Sequence, residues 1–583
     1  MTRLKLATTM TNPGEPAAAS RYSDPAVLRA RGFSGLVVYE SAALSGGLGS
    51  ARQSNPDVAR FVRETETRVD EAVARAGARD PSDPQAPPLD VYLAFDLLVL
   101  DADAVAGDPE AVCCRHRSAD LCPGRDAAWA HALANLDAVL DRWPSAAGVV
   151  LRFGDNDAAR LPHLVGNDVY RPHCPQCERL SLADRVQRAI TGAWERVVAA
   201  RGKRLIVRAW NLRPGGLHDD AGLAVEVGRH LPGAPDDDRL VLSFKVGPSD
   251  FWRYQPWNTS SLVFGRRPVL YELQCQREFE GKGAVPNFQA GLWGAGMPET
   301  ARRTLVPQGG GQPVAGLAEA ATRVNFAGVM AWVRGGGWGG PFVGDESWID
   351  ANVYAAGRLA DDPAADPAVL ARDWVNEVLP GLSEPRAQGV VQALQTSAEM
   401  VRKAFYIEAR ARRRGPWNPA AGWISDDLLD AEAAWQIVRN LPEADLDAVV
   451  HEKQEAVDRA VAMHHALTGG VVRSGSAASG AAAEPLSGAT ADRLTRLANT
   501  ALYAASFFET LRDLLGGMVA VRRHRTLPTA ATREAARKRL RAAQVHWNHH
   551  TQRSARLPGT ASPFRESRFW ELTQEMLEEV EKN

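Results

Sequence analysis

Short apolar runs alternate with amphipathic stretches between residues 1 and 345, and this pattern predicts strands and helices in turn. The apolar runs are continuous, which is typical of strands that are buried on both faces of a parallel sheet. Eight such units predict an α/β fold, a (β/α)8 TIM barrel. The predicted strands are Leu4–Thr9, Ser34–Glu40, Val91–Leu98, Gly148–Gly154, Arg204–Trp210, Arg239–Lys245, Pro268–Gln274 and Phe326–Val333.

From about Trp348 the pattern changes to helical spacing, with few β-branched runs, and it stays so to the end of the chain. We therefore expect a catalytic barrel over residues 1–345 and an all-α C-terminal domain over residues 346–583. The Gly/Ala/Ser-rich segment at 468–489 predicts a flexible loop within that helical domain.

Composition narrows the classes of partner. The chain has 583 residues, 45% of them hydrophobic and 24% charged, with a formal net charge of −2. A charge so close to zero does not favour nucleic acid or an anionic membrane as a partner. No run approaches the roughly 20 apolar residues that span a bilayer, and the apolar start is too short for a signal peptide. We expect a cytoplasmic protein.

Charged and aromatic residues follow several predicted strands, at the end where a TIM barrel places its active site. They are Asp155 and Asp157 after strand four, Arg208 and Trp210 at strand five, Lys245 and Asp250 after strand six, Glu272, Gln274, Gln276 and Glu278 along one side of strand seven, and Trp338 after strand eight. Taken singly, each could be a helix cap or a solvated loop charge. Together, acids and cations converging on one mouth predict acid–base chemistry on an anionic substrate.

Three segments of the chain resemble a known family. The stretch LSFKVGPSDFWRYQPWNTSSLVFGRRPVLYELQCQREFEGKG (Leu242–Gly283) is similar to the core of the α-glucuronidases of glycoside hydrolase family 67. Those enzymes have a strand with Lys, then Gly-Pro-x-Asp-Phe, then a strand reading Glu-Phe-Gln. LIVRAWN (Leu205–Asn211) and SWIDANVYAAGRLADDPAADPAVLARDWV (Ser347–Val375) also look like family segments, so the resemblance covers about residues 90–385.

The resemblance implies roles for matching positions. Asp250 and Glu278 would activate water, while Lys245 and Arg208 would hold the carboxylate of a uronic acid. The family's general acid follows strand four in a segment ending Lys-Ala-Asp-Ser-Glu. Here that segment reads RFGDND without a glutamate, so either Asp155 or Asp157 takes the role, and Arg152 or Phe153 stands at the family's lysine. The family also has a β domain before its barrel, whereas the predicted strands here begin at Leu4.

The resulting hypothesis is an inverting, exo-acting α-glucuronidase-like hydrolase that releases a terminal uronic acid from an oligosaccharide. Its acid and base should lie roughly 6.5–9.5 Å apart, and its catalysis needs no cofactor. The other side chains expected to bind the substrate are Arg152, Glu272, Trp210, Trp252 and Trp338. The alternative is a non-catalytic barrel that binds uronides or other glycans. A homodimer through the helical domain is a further expectation.

Five of the six cysteines fall in two clusters, Cys113, Cys114 and Cys122, then Cys174 and Cys177. Six cysteines in so long a chain do not indicate a disulfide framework. Thiolates spaced Cys-x-x-Cys suit tetrahedral zinc, so a structural zinc site is one interpretation. Its ligands would be Cys174, Cys177, Cys122 and Cys113, with His116 or His173 as substitutes. The alternatives are reduced thiols without a ligand, or one loop disulfide.

Overall fold

The computed structural model describes residues 2–10, 20–48, 55–79, 83–112, 121–155, 161, 163–166, 169–170, 174–297, 314–335, 341–413, 417–419, 421–424, 428–469, 486–554 and 556–582.

Eight parallel strands close into a barrel in the order of the sequence, with the last strand paired to the first. The predicted (β/α)8 fold class is confirmed, and every predicted strand is present near its predicted position. The strands are β1 (Leu4–Thr9), β2 (Gly35–Val38), β3 (Asp90–Asp96), β4 (Gly148–Arg152), β5 (Arg204–Arg208), β6 (Leu240–Lys245), β7 (Pro268–Gln274) and β8 (Asn325–Arg334).

Helices on the outside of the barrel connect most of the strands. They are α1 (Pro25–Ala30), α2 (Pro56–Gly77), α3 (Ala102–Gly107), α4 (Asp126–Arg142), α5 (Leu182–Trp194), α6 (Ala221–Gly228), α7 (Ala290–Ala295) and α8 (Leu317–Arg323). Between β6 and β7 the described connection contains a 3-10 helix, Thr259–Val263, in place of an α-helix.

Local sequence fixes where these helices begin. The side chain of Asn55 accepts hydrogen bonds from the first backbone amides of α2, and Pro56 occupies the first helical position, where its missing N–H costs nothing. At α5, Ser181 and Asp184 form a reciprocal capping box.

The predicted change to helices is confirmed beyond the barrel. The helices there are α9 (Ser347–Asp361), α10 (Pro367–Val378), α11 (Glu384–Phe405), α12 (Glu408–Ala411), α13 (Ala431–Asn440), α14 (Leu446–Thr468), α15 (Gly488–Thr526), α16 (Ala530–Ser554) and α17 (Phe569–Lys582). The long helix α15 packs between α14 and α16. Of the loop predicted at 468–489, residues 470–485 lie outside the described residues.

A buried ion pair joins the helical region to the barrel. Asp350 on α9 receives hydrogen bonds from Arg31, Tyr22 and Trp374 at 2.7–3.0 Å. Burial opposes the charge of this carboxylate, but the Arg31 guanidinium outweighs it and lowers the pKa of Asp350. Helix α9, which lies after the expected domain boundary at residue 345, packs on strands β8 and β1 of the barrel. The boundary at residue 345 therefore stays a prediction.

Among the described residues, we find no helix with both the length and the apolar character needed to cross a lipid bilayer.

Candidate active site

The interior of the barrel changes from apolar to polar toward the carboxyl ends of the strands. One layer takes an apolar residue from each strand, namely Leu6, Val37, Ala94, Val150, Ile206, Val241, Leu270 and Met330. The next residue on the same side of a strand is two positions further on. That step reaches Thr8, Tyr39, Asp96, Arg152, Arg208, Ser243, Glu272 and Trp332. The apolar layer closes the barrel from below, and the polar layer forms the floor of the site.

Arg208 on β5 binds two carboxylates at this floor. Its Nε lies 3.1 Å from both carboxylate oxygens of Glu272, and its Nη1 lies 3.1 Å from Oδ2 of Asp155. Glu272 is fully buried and also accepts hydrogen bonds from Ser243 at 2.9 Å and Trp332 at 3.0 Å. Protein donors therefore contact both carboxylate oxygens of Glu272, and a direct role in substrate binding stays a prediction. The sequence had grouped Glu272 with the substrate-binding residues.

The segment that carries Asp155 passes very close to the neighbouring strand end. A side chain at Gly154 would place its Cβ 2.5 Å from the ring of Tyr170 and 3.0 Å from the carbonyl of Trp210. The contact with Tyr170 is shorter than a Cβ atom allows and the one with Trp210 is tight, so any larger residue would force the neighbouring groups to shift. The close approach brings Asp155 within reach of Arg208.

Lys245 and Asp250 form the second ion pair of the site. Lys245 ends β6, where it pairs in register with Glu272 of β7, and its ammonium donates to Oδ1 of Asp250. The same oxygen accepts the backbone N–H of Phe251 at 2.8 Å. The ammonium also lies 3.8 Å from the ring centroid of Trp210 and 4.3 Å from that of Phe251. Aromatic faces and a carboxylate thus hold one cation in place.

A buried histidine supports the loop between Lys245 and Asp250. Nε2 of His218 lies 2.9 Å from the carbonyl oxygen of Gly247, so Nε2 carries the proton. The ring stacks on Phe244 and meets Trp210 edge to face. Burial lowers the pKa of His218 to about 3, so the ring is neutral near pH 7. We infer that His218 positions the loop without exchanging protons.

Glu278 is held at the end of the adjacent strand. Its carboxylate accepts a hydrogen bond from Gln274 at 2.9 Å, and its backbone N–H donates to the same side chain at 2.8 Å. The strand ends at Gln274, and Arg277 takes a left-handed φ of 57°. The two-residue alternation expected from Glu272 through Glu278 therefore stops at Gln274. Glu278 nevertheless lies at the same end of the barrel as Asp250.

A second carboxylate, Glu280, is fully buried behind this loop. It accepts hydrogen bonds from Arg277 at 3.1 Å, Asn287 at 2.8 Å and Tyr406 at 3.0 Å, and Arg253 lies 3.6 Å away. Burial would raise its pKa, but the two guanidiniums and the hydrogen bonds lower the pKa of Glu280 to about 2. Because Tyr406 follows α11, this cluster fixes the loop after β7 to the helical region.

Arg152 lies across the floor from these groups. Its Nε is 2.8 Å from a carboxylate oxygen of Asp96, and both residues are buried. The guanidinium also lies 4.6 Å from the ring centroid of Tyr39 and donates to the backbone carbonyl of Asp155. Arg152 was expected to bind substrate. In the structure it forms an ion pair within the floor and holds the segment of Asp155.

Aromatic side chains from two regions meet above the floor. Trp417, which lies between α12 and α13, stacks on Trp210 with ring centroids 6.0 Å apart and an interplanar angle of 11°. Trp252 is half-buried and packs edge to face on Phe279. Trp210 and Trp252 were both expected to form walls for a sugar ring, and both lie near Asp250. The helical region adds Trp417 to them.

Three cysteines meet outside the floor. The sulfur atoms of Cys122, Cys174 and Cys177 lie 3.2–3.5 Å from one another, and all three side chains are buried. This arrangement could hold a metal ion.

Some expected residues lie outside the described part of the chain. These are Asp157, the other candidate for the general acid, Trp338, and the thiol-cluster candidates Cys113, Cys114, His116 and His173.

Sequence reasoning also missed four residues of the site: Asp96, His218, Glu280 and Trp417. Alternation along β3 would have placed Asp96 on the same side as Ala94, so a signal for it existed. The other three lie in connecting segments without a motif, and only the three-dimensional structure brings them to the site.

Comparison with known proteins gives limited similarity. No protein-family model matches the chain. Alpha-glucuronidase A of Emericella nidulans is 27% identical over 139 residues, which are 24% of this chain and 16% of the length of that protein. A GH138 enzyme targeting pectin rhamnogalacturonan II has a similar structure, with a TM-score of 0.53 and 10% identity over 99% of this chain and 83% of that one. The structural likeness shows a shared fold.

Proposed function

We propose that the protein is a glycoside hydrolase that releases a terminal α-linked uronic acid from an oligosaccharide with inversion. The proposal depends on two ion pairs at the carboxyl ends of β4 to β6. One joins Asp155 with Arg208, and the other joins Asp250 with Lys245. Such a site offers cations for an acidic sugar and carboxyl groups for proton transfer. The partial similarity to an alpha-glucuronidase supports the same class of substrate.

Arg208 and Lys245 bind the carboxylate of the sugar in this proposal. Both cations already have a protein carboxylate as partner, so the substrate competes with Asp155 and Asp250 for them. When an anionic sugar takes Arg208 as its partner, Asp155 loses its contact with that guanidinium and is free to act as the general acid toward the departing glycosidic oxygen. Glu272 keeps Arg208 in place throughout.

Asp250 or Glu278 then removes a proton from the attacking water, and the two remain alternatives for the base. Both follow the carboxyl ends of adjacent strands, and inversion requires the base to activate water on the face of the sugar opposite the acid. The half-buried Trp252 supplies a face on which the ring can stack, whereas the ring of Trp210 is buried and contacts Lys245 and Trp417.

The test uses an aryl α-glucuronide and an α-glucuronylated oligosaccharide with four variants. D250N and E278Q each remove a candidate base with little change in volume, and the general base should contribute about 10²- to 10⁴-fold to kcat. The exposed residues Asp57 and Glu64 provide the matched controls D57N and E64Q, which should keep full activity. Circular dichroism checks that each variant is folded.

Proton NMR of the first sugar released should show the β anomer, because inversion of an α linkage gives that product. If D250N and E278Q both hydrolyse the substrates at the wild-type rate, the assignment is wrong. Oligosaccharide binding without turnover, across a panel of α- and β-uronides, would instead favour the non-catalytic glycan-binding barrel.

A further inference from the structure

The three buried cysteines come from two separate connections of the barrel. Cys122 lies just before α4, and Cys174 and Cys177 lie before α5. Sulfur atoms 3.2–3.5 Å apart are in contact, but they are much further apart than the roughly 2.05 Å of a disulfide bond. Two loops that are far apart in sequence thus bring three thiols to one point in the interior.

The spacing of these sulfur atoms is close to that of a zinc site. Tetrahedral zinc with Zn–S bonds of about 2.3 Å requires its sulfur ligands to lie about 3.8 Å apart. The observed triangle is a few tenths of an ångström smaller, which small side-chain rotations can correct. Soft thiolate ligands in a closed, buried position favour Zn(II) over the harder cations Mg²⁺ and Ca²⁺.

We propose that Cys122, Cys174 and Cys177 bind one structural zinc ion as thiolates. Each thiol releases its proton to solvent on binding, so the three ligands and the ion carry a net charge of −1 together. Arg185, which is buried, donates to the carbonyl of Cys177 at 3.1 Å and brings a positive charge beside the cluster. Tetrahedral zinc takes four ligands, so these three thiols leave one coordination position open.

The site fixes the segment that carries the proposed general acid. Arg185 also donates to the carbonyls of Val169 at 2.9 Å and Tyr170 at 3.3 Å, so the thiol cluster and this part of the segment share one anchor. Tyr170 in turn packs on Phe153, two residues before Asp155. Zinc therefore acts as a positioning element for Asp155. This last step rests on the proposed function, whereas zinc binding itself does not.

The first experiment measures metal in the full chain, purified without chelators or added metal, by inductively coupled plasma mass spectrometry. We expect about one zinc per chain. The zinc-free protein loaded with Co²⁺ should show thiolate-to-cobalt charge-transfer absorption, which needs no variant. C122S and C177S should lose the zinc. C275S is the matched control, because Cys275 is also buried but lies outside the cluster, and it should retain zinc.

Absence of zinc together with absence of the cobalt absorption would overturn the proposal, as would iron in place of zinc. A disulfide among these cysteines, seen as a mass lower by two hydrogens, would overturn it as well. Removal of zinc should reduce kcat at least tenfold, with recovery when zinc is returned, and an unchanged kcat would overturn the positioning role alone. Zinc content and turnover are separate readouts, so a chain with zinc but without hydrolysis refutes only the proposed function.

Discussion

The buried carboxylate Glu280 allows a quantitative test of the structure, because its lowered pKa predicts how much stability the protein loses when its charge is removed. Its pKa is about 2, compared with an ordinary value of 4.5. A difference of about 2.5 pKa units corresponds to about 3 kcal/mol at neutral pH. E280Q removes the charge that Arg277 and Arg253 face, and breaking a buried ion pair from one side costs about 3–5 kcal/mol. The two routes agree on a destabilisation of about 3 kcal/mol.

The pH dependence of this effect has a definite sign. The folded state lowers the pKa of Glu280, so its stabilisation is complete above pH 4.5 and is lost as the pH falls toward 2. The difference between wild type and E280Q should fall from about 3 kcal/mol at pH 7 to about 1.4 kcal/mol at pH 3.

Urea unfolding followed by tryptophan fluorescence measures the difference at both pH values. The control E64Q changes an exposed carboxylate and should stay within about 0.5 kcal/mol of wild type. A difference below about 1 kcal/mol at pH 7, or one that does not shrink at pH 3, would refute the reasoning.

Two further predictions concern groups near the site. His218 should titrate with a pKa near 3 in NMR spectra of labelled protein. Because the folded state lowers this pKa, the contribution of neutral His218 to stability is complete above pH 6.5 and declines as the pH falls from 6.5 toward 3. An observed pKa near 6.5 would contradict the burial of the ring. W417A should lower kcat/KM on an oligosaccharide about 3- to 10-fold through loss of stacking. W417F, which keeps an aromatic ring, should recover most of the lost kcat/KM. A W417A variant with the wild-type kcat/KM would exclude Trp417 from the site.

The barrel was predictable because its strands are buried on both faces and therefore read as uninterrupted apolar runs. The positions of Lys245 and Asp250 followed from the same argument, since charges after a parallel strand must lie at the active-site end. The predicted alternation along β7 does not extend beyond Gln274, because the left-handed backbone at Arg277 turns the chain. Arginine rarely adopts this conformation, so the sequence did not predict it.

The pairing within the site could not be predicted. The sequence supplies cations and carboxylates, but which cation meets which carboxylate depends on distances across the barrel. Arg152 and Arg208 were both expected to bind substrate, and the structure adds an acidic partner in the floor for each of them. Similarly, Trp417 is separated from Trp210 by about two hundred residues, a distance over which local patterns carry no information. The homodimer through the helical domain stays a prediction.

The two interior layers of the barrel constrain evolution in opposite ways. In the apolar layer, a swap such as Val for Ile changes volume and little else, so this level can drift through small steps. Among the charged residues of the polar layer, loss of one member of an ion pair leaves its partner as an uncompensated buried ion, so changes at these positions must come in pairs. A descendant with a new sugar preference would therefore reach it through the surrounding loops, while the charged floor was inherited almost intact.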